Sequence, residues 1–160
     1  MHTYMGMYTA VHNICTSIRM VTTLSGQPRP GGLHGEALYV RLRDYLNDSL
    51  SDIAEKARAL PQERLLEFYN QQWGRFLWCS KLANHSFRFL NRHWVKREMD
   101  EGKKWVHSIL DLHLRTWRTA LLDSMHEELS AVLLDLLQRQ RNGEYVEQLP
   151  RKSFMQSVSE

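Results

Sequence analysis

Long segments without helix-breaking residues constrain the fold of this chain more than any other feature. Between Lys103 and Asn142 the sequence contains neither glycine nor proline. Apolar residues recur at helical spacing throughout, without the strict alternation of a β-strand, so the sequence predicts an all-α fold. One helix over Lys103–Asn142 would be about 60 Å long, whereas a compact chain of this length has a radius of gyration of about 15 Å. Either the molecule is elongated or this helix is interrupted. The S-x-x-E pattern of a capping box at Ser124 and Glu127 favours an interruption near Asp123–Ser124.

Proline and glycine predict the other helix boundaries. A first helix is expected from about His2 to Leu24, followed by a flexible loop over Ser25–Gly35. A second helix is predicted over Glu36–Leu60, and Pro61 suits the first turn of a third helix. Gly102 and Gly143 are expected to end later helices. The predicted inward faces are Leu38, Leu42, Tyr45, Leu46, Leu50, Ile53 and Ala57 on the second helix, and Leu65, Leu66, Tyr69, Trp73 and Phe76 on the third.

Composition sets broad limits on the kind of protein. The 160 residues carry a formal net charge of +3, which is too small to indicate nucleic-acid binding by charge alone. Cys15 and Cys79 lie far apart in apolar-periodic segments and are expected to be buried free thiols in a reducing compartment. No signal-peptide pattern follows Met1, and no apolar run approaches the roughly 20 residues that span a bilayer. We therefore expect a soluble intracellular protein.

No residue pattern predicts catalysis. The Gly-rich Ser25–Gly35 lacks the G-x-x-x-x-G-K-[ST] arrangement of a phosphate-binding loop, so it is interpreted as a linker. His126-Glu127-Glu128 has no second histidine four residues after the first, and His107 and His113 point in different directions, so no metal pair is predicted. Neither cysteine has a setting that lowers a thiol pKa. The expectation is a protein without enzymatic activity, cofactor or metal.

Two helical faces are candidates for binding another protein. On the first helix, placed on a wheel of about 100° per residue, apolar residues form an arc wider than a core-facing stripe needs. Either the whole arc packs inside, or one side faces the core and the other meets a partner. The proposed core side is Ile14, Ile18 and Val21, and the proposed partner side is Tyr4, Met5 and Tyr8.

The second candidate face requires that Phe76–Arg97 form one continuous helix. Phe76, Ala83, Phe87, Leu90 and Trp94 would then face the core, and a second apolar face lies nearly opposite. An apolar second face indicates burial on both sides or a protein-binding surface. Its residues are Trp78, Leu82 and Phe89, flanked by His85 and His93.

A basic cluster supports an alternative function. Its cations alternate with Trp94 and Trp105, a pattern that can indicate nucleic-acid contact. Acidic residues among them leave a local charge of only +2, since five positive and three negative charges are present. A solvated helix end is the simpler interpretation. The cations are Arg92, Lys96, Arg97, Lys103 and Lys104, and the acidic residues are Glu98, Asp100 and Glu101.

One long segment makes the sequence resemble a known family. Phe89-Leu90-Asn91-Arg92-His93-Trp94-Val95-Lys96-Arg97-Glu98-Met99-Asp100-Glu101-Gly102-Lys103-Lys104 resembles the signature in the N-terminal region of cullins, most of all those of the SCF type. Tyr4-Met5-Gly6-Met7-Tyr8-Thr9-Ala10-Val11-His12-Asn13 is similar to the partner-binding helix of that family, and Arg141-Asn142-Gly143-Glu144 matches a further segment. The resemblance covers nearly the whole chain up to Glu144.

The resemblance implies both a fold and a function. The region is expected to be a first cullin repeat over residues 1–144, an elongated five-helix unit of a helical solenoid, followed over 145–160 by a tail that either begins a second repeat or is disordered. It would dock the Skp adaptor and its F-box protein, in the cytoplasm and nucleus, without contacting nucleic acid or membrane. The resemblance places partner contacts at Tyr4, Met5, Met7, Tyr8, Val11 and Phe89, and the expected partner-binding residues also include His12, together with Leu82 and His85 from the second apolar face. Met7, where leucine is usual, and His12, where tyrosine is common, are departures from the family pattern.

The extent of the resemblance limits the expected activity. It begins near residue 4, so the helix that precedes it in the family has no counterpart, and neither do the later repeats. The regions that bind the RING-box protein and receive the ubiquitin-like modifier also have no counterpart, so binding of the RING-box protein is expected only in a full-length cullin. The sequence therefore predicts a scaffold module that docks a substrate receptor but does not itself catalyse ubiquitin transfer.

Overall fold

The described part of the chain is helical. The computed structural model describes residues 2–16, 33–143, 154–155 and 157–159, apart from the side chains of residues 2–4, 33 and 34. Five successive helical runs account for most of the backbone described up to Arg141, and these ranges contain no β-strand. The predicted all-α fold is confirmed.

Three helices come first, and two composite runs follow. The fourth run is composed of α4, a π-helical segment and α5, and the fifth of α6, a second π-helical segment, a 3₁₀ turn and α7. In chain order the elements are α1 (His2–Thr16), α2 (Leu33–Arg58), α3 (Gln62–Ser86), α4 (Arg88–Leu90), a π-helix (Asn91–Val95), α5 (Lys96–Asp100), α6 (Ile109–Trp117), a π-helix (Arg118–Leu122), a 3₁₀-helix (Asp123–Met125) and α7 (His126–Arg141).

The predicted helix ends at glycine and proline are confirmed where the structure describes them. Gly102 and Gly143 adopt left-handed φ values of +84° and +85° just after α5 and α7. Pro61 directly precedes α3, and its carbonyl accepts a hydrogen bond from the Arg64 amide. The predicted end of the first helix at Leu24 lies outside the described residues. Gly35 was expected in the loop but belongs to the first turn of α2.

The continuous helix predicted over Phe76–Arg97 is wrong. Phe87 leaves helical geometry (φ −91°, ψ 16°) between α3 and α4. Just before it, the Ser86 hydroxyl donates a hydrogen bond to the Leu82 carbonyl at 3.0 Å. A serine that bonds back to the preceding turn often bends a helix. The apolar pattern carried no sign of this local competition.

The helix over 103–142 is interrupted as predicted, but the interruption is a π-helical turn followed by a 3₁₀ turn and not a capping box. The π-helical turn at Arg118–Leu122 and the 3₁₀ turn at Asp123–Met125 separate α6 from α7. Ser124 does not cap α7, because its hydroxyl donates to the carbonyls of Ala120 and Leu121, both at 2.9 Å. The residue before α7 is Met125, which makes no side-chain capping bond. The predicted capping box is therefore wrong.

The chain divides into two compact units, and α2 and α3 contribute residues to both. One unit contains residues 1–46 and 79–113, and the other contains residues 47–78 and 114–160. In the second unit, Tyr69 is buried at the centre of an aromatic core. Its hydroxyl accepts a hydrogen bond from the Trp117 indole N–H at 3.0 Å and pairs with the Ser157 hydroxyl at 3.0 Å. The Phe154 ring lies 5.4 Å from that of Tyr69, so residues near the C-terminal end complete this core.

In the first unit, Tyr39 connects α2 to the loop that follows α5. Its hydroxyl accepts the His107 amide at 2.9 Å and donates to the His107 carbonyl at 3.2 Å. The Tyr39 ring packs against Trp94 and Trp105, with centroids 5.2 and 6.0 Å away. The predicted inward position of Tyr45 is wrong, because Tyr45 is 68% exposed while Tyr39 is fully buried. Tyr39 lies two helical turns before the buried Leu46, on the same face of α2, whereas Tyr45 lies about 120° away around the helix.

Cysteine burial is less than predicted. Both cysteines are free, but Cys15 is half-buried and Cys79 is exposed. Burial raises the pKa of the Cys15 thiol. No helix among the described residues combines the length and apolar character needed to cross a membrane.

Candidate functional site

The predicted docking residues on α1 divide between its two sides. Val11 is 5% exposed and faces the first unit, while Tyr8 and His12 are half-buried beside it. Met5 and Met7 are 59% and 39% exposed. Val11 can therefore position α1 but offers little surface to a partner, whereas the two methionines offer apolar surface.

The inward side of α1 differs from the predicted one. Ile14 was expected to face the core, but it is 44% exposed. The half-buried Tyr8 precedes the buried Val11 by three residues and the half-buried His12 by four. The packed stripe therefore lies towards the Tyr8 side of the predicted arc. Ile18 and Val21, the other proposed core residues, lie outside the described residues.

Phe89 joins α1 to the fourth helical run. Its ring lies 4.7 Å from that of His12, edge to face, and 4.3 Å from that of His93. His12 in turn stacks on Tyr8, with centroids 6.5 Å apart. The structure thus brings Tyr8, His12 and Phe89 into one half-buried aromatic group, which sequence spacing alone could not show. We call the predicted docking residues Met5, Met7, Tyr8, His12 and Phe89 the α1 docking surface; Met5 and Met7 lie about 160° apart around α1, on either flank of its packed stripe.

Phe89 is packed on one side and borders a cavity on the other. The cavity has a volume of about 260 Å³, and Cys15, Phe89, His93 and Arg97 are among its lining residues. The Phe89 ring therefore contacts two imidazoles without being enclosed. An apolar side chain from a partner could contact the ring from this cavity.

Buried residues beneath Phe89 fix its backbone. Leu90 and Trp94 are buried on the inward side of the run, and Trp94 packs closely against Gly35 at the start of α2. The Asn91 side-chain amide donates to Asn84 at 2.8 Å, and its oxygen accepts the Ile109 amide at 2.9 Å. Asn91 therefore ties the end of α3 and the start of α6 to the π-helical turn.

A buried carboxylate stabilises the end of the same run. Glu98 is 4% exposed and accepts hydrogen bonds from Arg97, at 3.0 Å, and from Lys103. Burial alone would raise the pKa of Glu98, but the hydrogen bonds and charges of Lys103 and Arg97 outweigh it and hold that pKa below its usual value. The pKa of Lys103 is raised in turn, chiefly by its hydrogen bond to Glu98. This ionic group holds the turn at Gly102 against α5.

The remaining predicted site residues are placed separately. Leu82 is half-buried and His85 is exposed, and both belong to α3 and not to the run that carries Phe89. The side chain of Tyr4 lies outside the described residues. Sequence reasoning missed the structural role of Asn91, and it treated His93 only as a flanking residue. The i, i+4 spacing of Phe89 and His93 was the available signal for their contact.

Several residues of the basic cluster that suggested nucleic-acid binding make contacts within the fold. Trp94 is buried against Tyr39 and cannot stack on a base. Arg97 and Lys103 are engaged by Glu98. Three of the features that suggested nucleic-acid contact are therefore part of the fold. Among the described residues, no group of three or more histidine, cysteine or acidic side chains could hold a metal ion.

Comparison with known proteins places the sequence among cullins. The family described as the cullin alpha solenoid domain matches residues 1–160. The chain is 32% identical over 145 residues to "Cullin-1" of Dictyostelium discoideum, an alignment that covers 88% of this chain and 19% of the relative. It is 30% identical over 155 residues to "Cullin-1" of Caenorhabditis elegans, covering 89% and 20%.

A yeast relative shows the same extent of similarity. The chain is 30% identical over 148 residues to "Cell division control protein 53" of Saccharomyces cerevisiae, covering 90% of this chain and 18% of the relative. The chain therefore spans about a fifth of the length of the curated relatives it matches.

Proposed function

Because the chain belongs to the cullin family, we propose that it is a scaffold module of an SCF-type ubiquitin ligase. In this proposal the α1 docking surface binds a Skp-type adaptor that carries an F-box protein. The module contributes a binding surface and no chemical step.

The observation that carries the proposal is the composition and exposure of the α1 docking surface. Met5 is largely exposed and Met7 partly so, on the two flanks of the α1 stripe that carries Tyr8 and His12, and these two residues join Phe89 in one aromatic group. Aromatic residues and methionine are enriched at protein interfaces, where a few such side chains near the centre account for most of the binding energy. A stable complex of this kind buries about 1,600 Å² in total.

The arrangement of these residues favours docking over a purely structural role. Phe89 is held in place by His12 and His93 yet borders a cavity, so the ring is pre-organised for contact. Interactions formed by groups that are already ordered lose less conformational entropy on binding. The buried Leu90 and Trp94 supply the rigid support behind the ring.

The proposal is tested with neutral substitutions of the exposed methionines. Met5→Ser/Met7→Ser should weaken adaptor binding at least tenfold, or about 1.4 kcal/mol, because apolar contacts at the interface are lost. The matched control is Leu134→Ser/Leu137→Ser on α7, whose side chains are 66% and 40% exposed, against 59% and 39% for the methionines. Affinity is measured by isothermal titration of the chain with a purified Skp-type adaptor bound to an F-box protein.

Both double variants should retain the helical circular dichroism of the unsubstituted chain. Equal affinity of the methionine variant and the leucine control would contradict docking through α1. Absence of any adaptor binding by the unsubstituted chain would reject the proposed function.

A further inference from the structure

A row of exposed cations follows the outer side of the fourth helical run. Arg88, Arg92 and Lys96 are spaced four residues apart, and all three are exposed. The ring contact of Phe89 with His93 at 4.3 Å shows that residues four apart share a side here, even across the π-helical turn. We call Arg88, Arg92 and Lys96 the basic ridge.

No residue of the basic ridge forms an ion pair with a described carboxylate, although Asp100 lies four residues after Lys96. Arg43, Arg97, Lys103 and Arg139 each lie within 4 Å of a described carboxylate, but no ridge residue does. Like charges four residues apart destabilise a helix. The ridge therefore carries an unfavourable internal repulsion that a bound anionic group would relieve.

The basic ridge also adjoins the α1 docking surface. Each of its first two cations directly precedes a residue of the Phe89–His93 pair, so a partner resting on Phe89 comes within reach of the arginine heads. Beside Lys96 lies an open groove of about 390 Å³, lined also by Asn84, Met99, Asp100 and Ser108. The carboxylate of Asp100 in this groove repels an acidic segment, so the binding site is confined to the ridge itself.

We propose that the basic ridge binds an acidic segment, rich in aspartate and glutamate, of the adaptor that docks on α1. This inference rests on the proposed function and specifies the chemistry of the partner at its edge. A protein is favoured over a nucleic acid because the adjoining surface is aromatic and methionine-rich, as protein interfaces are. In addition, Trp94 is buried and unavailable for base stacking.

Charges at the rim of an interface act mainly on the association rate. The triple charge reversal Arg88→Glu/Arg92→Glu/Lys96→Glu should lower the association rate constant for the adaptor at least tenfold at roughly 0.05 M NaCl. The difference from the unsubstituted chain should nearly vanish at about 1 M NaCl, where the screening length is about 3 Å. The experiment is stopped-flow association with a purified Skp-type adaptor bound to an F-box protein.

A matched control separates the ridge from net charge. Lys56→Glu/Arg75→Glu/Arg118→Glu changes the charge by the same amount at three exposed cations that also have no described carboxylate within 4 Å. This control should keep most of the association rate. If the reversed ridge impairs folding, as seen by circular dichroism, the neutral variant Arg88→Gln/Arg92→Gln/Lys96→Gln takes its place, with a smaller but salt-dependent loss expected.

The outcomes distinguish this inference from the proposed function. The ridge inference is overturned if the association rate constants of the ridge and control variants depend equally on salt. If Met5→Ser/Met7→Ser still weakens adaptor binding in that case, the proposed adaptor docking is unaffected. The inference is overturned in favour of nucleic acid if the charge-reversed ridge variant loses binding to a 20-base-pair DNA duplex but associates with the adaptor as fast as the unsubstituted chain. No adaptor binding at any salt concentration overturns both.

Discussion

The contact between Gly35 and Trp94 offers a sharp test of how the docking region is supported. Gly35 lies in the first turn of α2 with its backbone against the Trp94 indole. A Cβ atom added at Gly35 would lie 2.6 Å from Cδ1 and 2.8 Å from Cβ of Trp94. Carbon atoms in contact are normally about 3.5–4.0 Å apart, so Gly35→Ala requires the indole or the start of α2 to move.

The size of the effect follows from two opposing terms. Overpacking of a well-packed core costs about 1–3 kcal/mol. Alanine in place of glycine within a helix returns up to about 1 kcal/mol. Trp94 has little freedom to retreat, because it is buried and the rings of Tyr39 and Trp105 lie 5.2 and 6.3 Å from its own. The expected net destabilisation of Gly35→Ala is therefore about 1–2 kcal/mol.

Thermal unfolding followed by circular dichroism measures this effect. For a chain of this size 1 kcal/mol corresponds to about 2–4 °C in melting temperature, so Gly35→Ala should melt about 2–8 °C below the unsubstituted chain. The matched control is Gly74→Ala in α3, where an added Cβ meets no atom within 4 Å. Gly74→Ala should melt at a higher temperature, since only the helix-propensity term remains.

A Gly35→Ala chain that melts at or above the temperature of the unsubstituted chain would refute this reasoning. Such a result would mean that the Trp94 indole can shift. Trp94 would then not be a rigid support beneath Phe89. If Gly74→Ala also lowered the melting temperature, the steric difference between a crowded Gly35 and an open Gly74 would not explain the effect of Gly35→Ala.

Two further substitutions test the polar contacts of the fold. Tyr69→Phe should lower the free energy of unfolding, measured by chemical denaturation, by about 1–3 kcal/mol, because the buried Trp117 indole N–H loses its acceptor. The control Tyr45→Phe, at a largely exposed tyrosine, should leave the free energy of unfolding unchanged. Equal stability of these two variants would contradict the prediction. Glu98→Gln should cost about 1 kcal/mol at neutral pH, since the cations facing the carboxylate are partly exposed and screened. Because the folded-state pKa of Glu98 lies below its unfolded value, its contribution is complete above about pH 4.3 and is lost as the pH falls through the folded pKa. The free energies of unfolding of Glu98→Gln and of the unsubstituted chain should therefore converge as the pH falls. A difference between them that stays constant down to low pH would contradict the ionic role of Lys103.

The sequence by itself determined the helical class, several helix ends and the family. Gly102 and Gly143 end helices because glycine adopts the left-handed backbone conformation without a steric penalty, a property of the residue and not of its surroundings. The inward face predicted for α3 is also confirmed, with Tyr69 and Trp73 buried. Periodicity succeeds there because the aromatic and leucine residues form one well-separated stripe.

Only the tertiary structure decided which of several neighbouring side chains became enclosed. On α1, Val11 is buried and Ile14 is 44% exposed, although the two lie only about 60° apart on a helix wheel. On a helix wheel, adjacent apolar positions are equivalent until a partner segment selects one of them. On α2, the buried Tyr39 is also tied to the His107 backbone, far away in sequence.

The docking surface depends on the same kind of long-range selection. The contact between His12 and Phe89 joins segments that no local pattern connects. Phe87 leaves helical geometry between α3, which carries Leu82 and His85, and the run that carries Phe89. Helix propensity and apolar spacing are local properties of the chain, whereas burial depends on which segments meet, and that is why the sequence identified the elements and the tertiary structure assembled the surface.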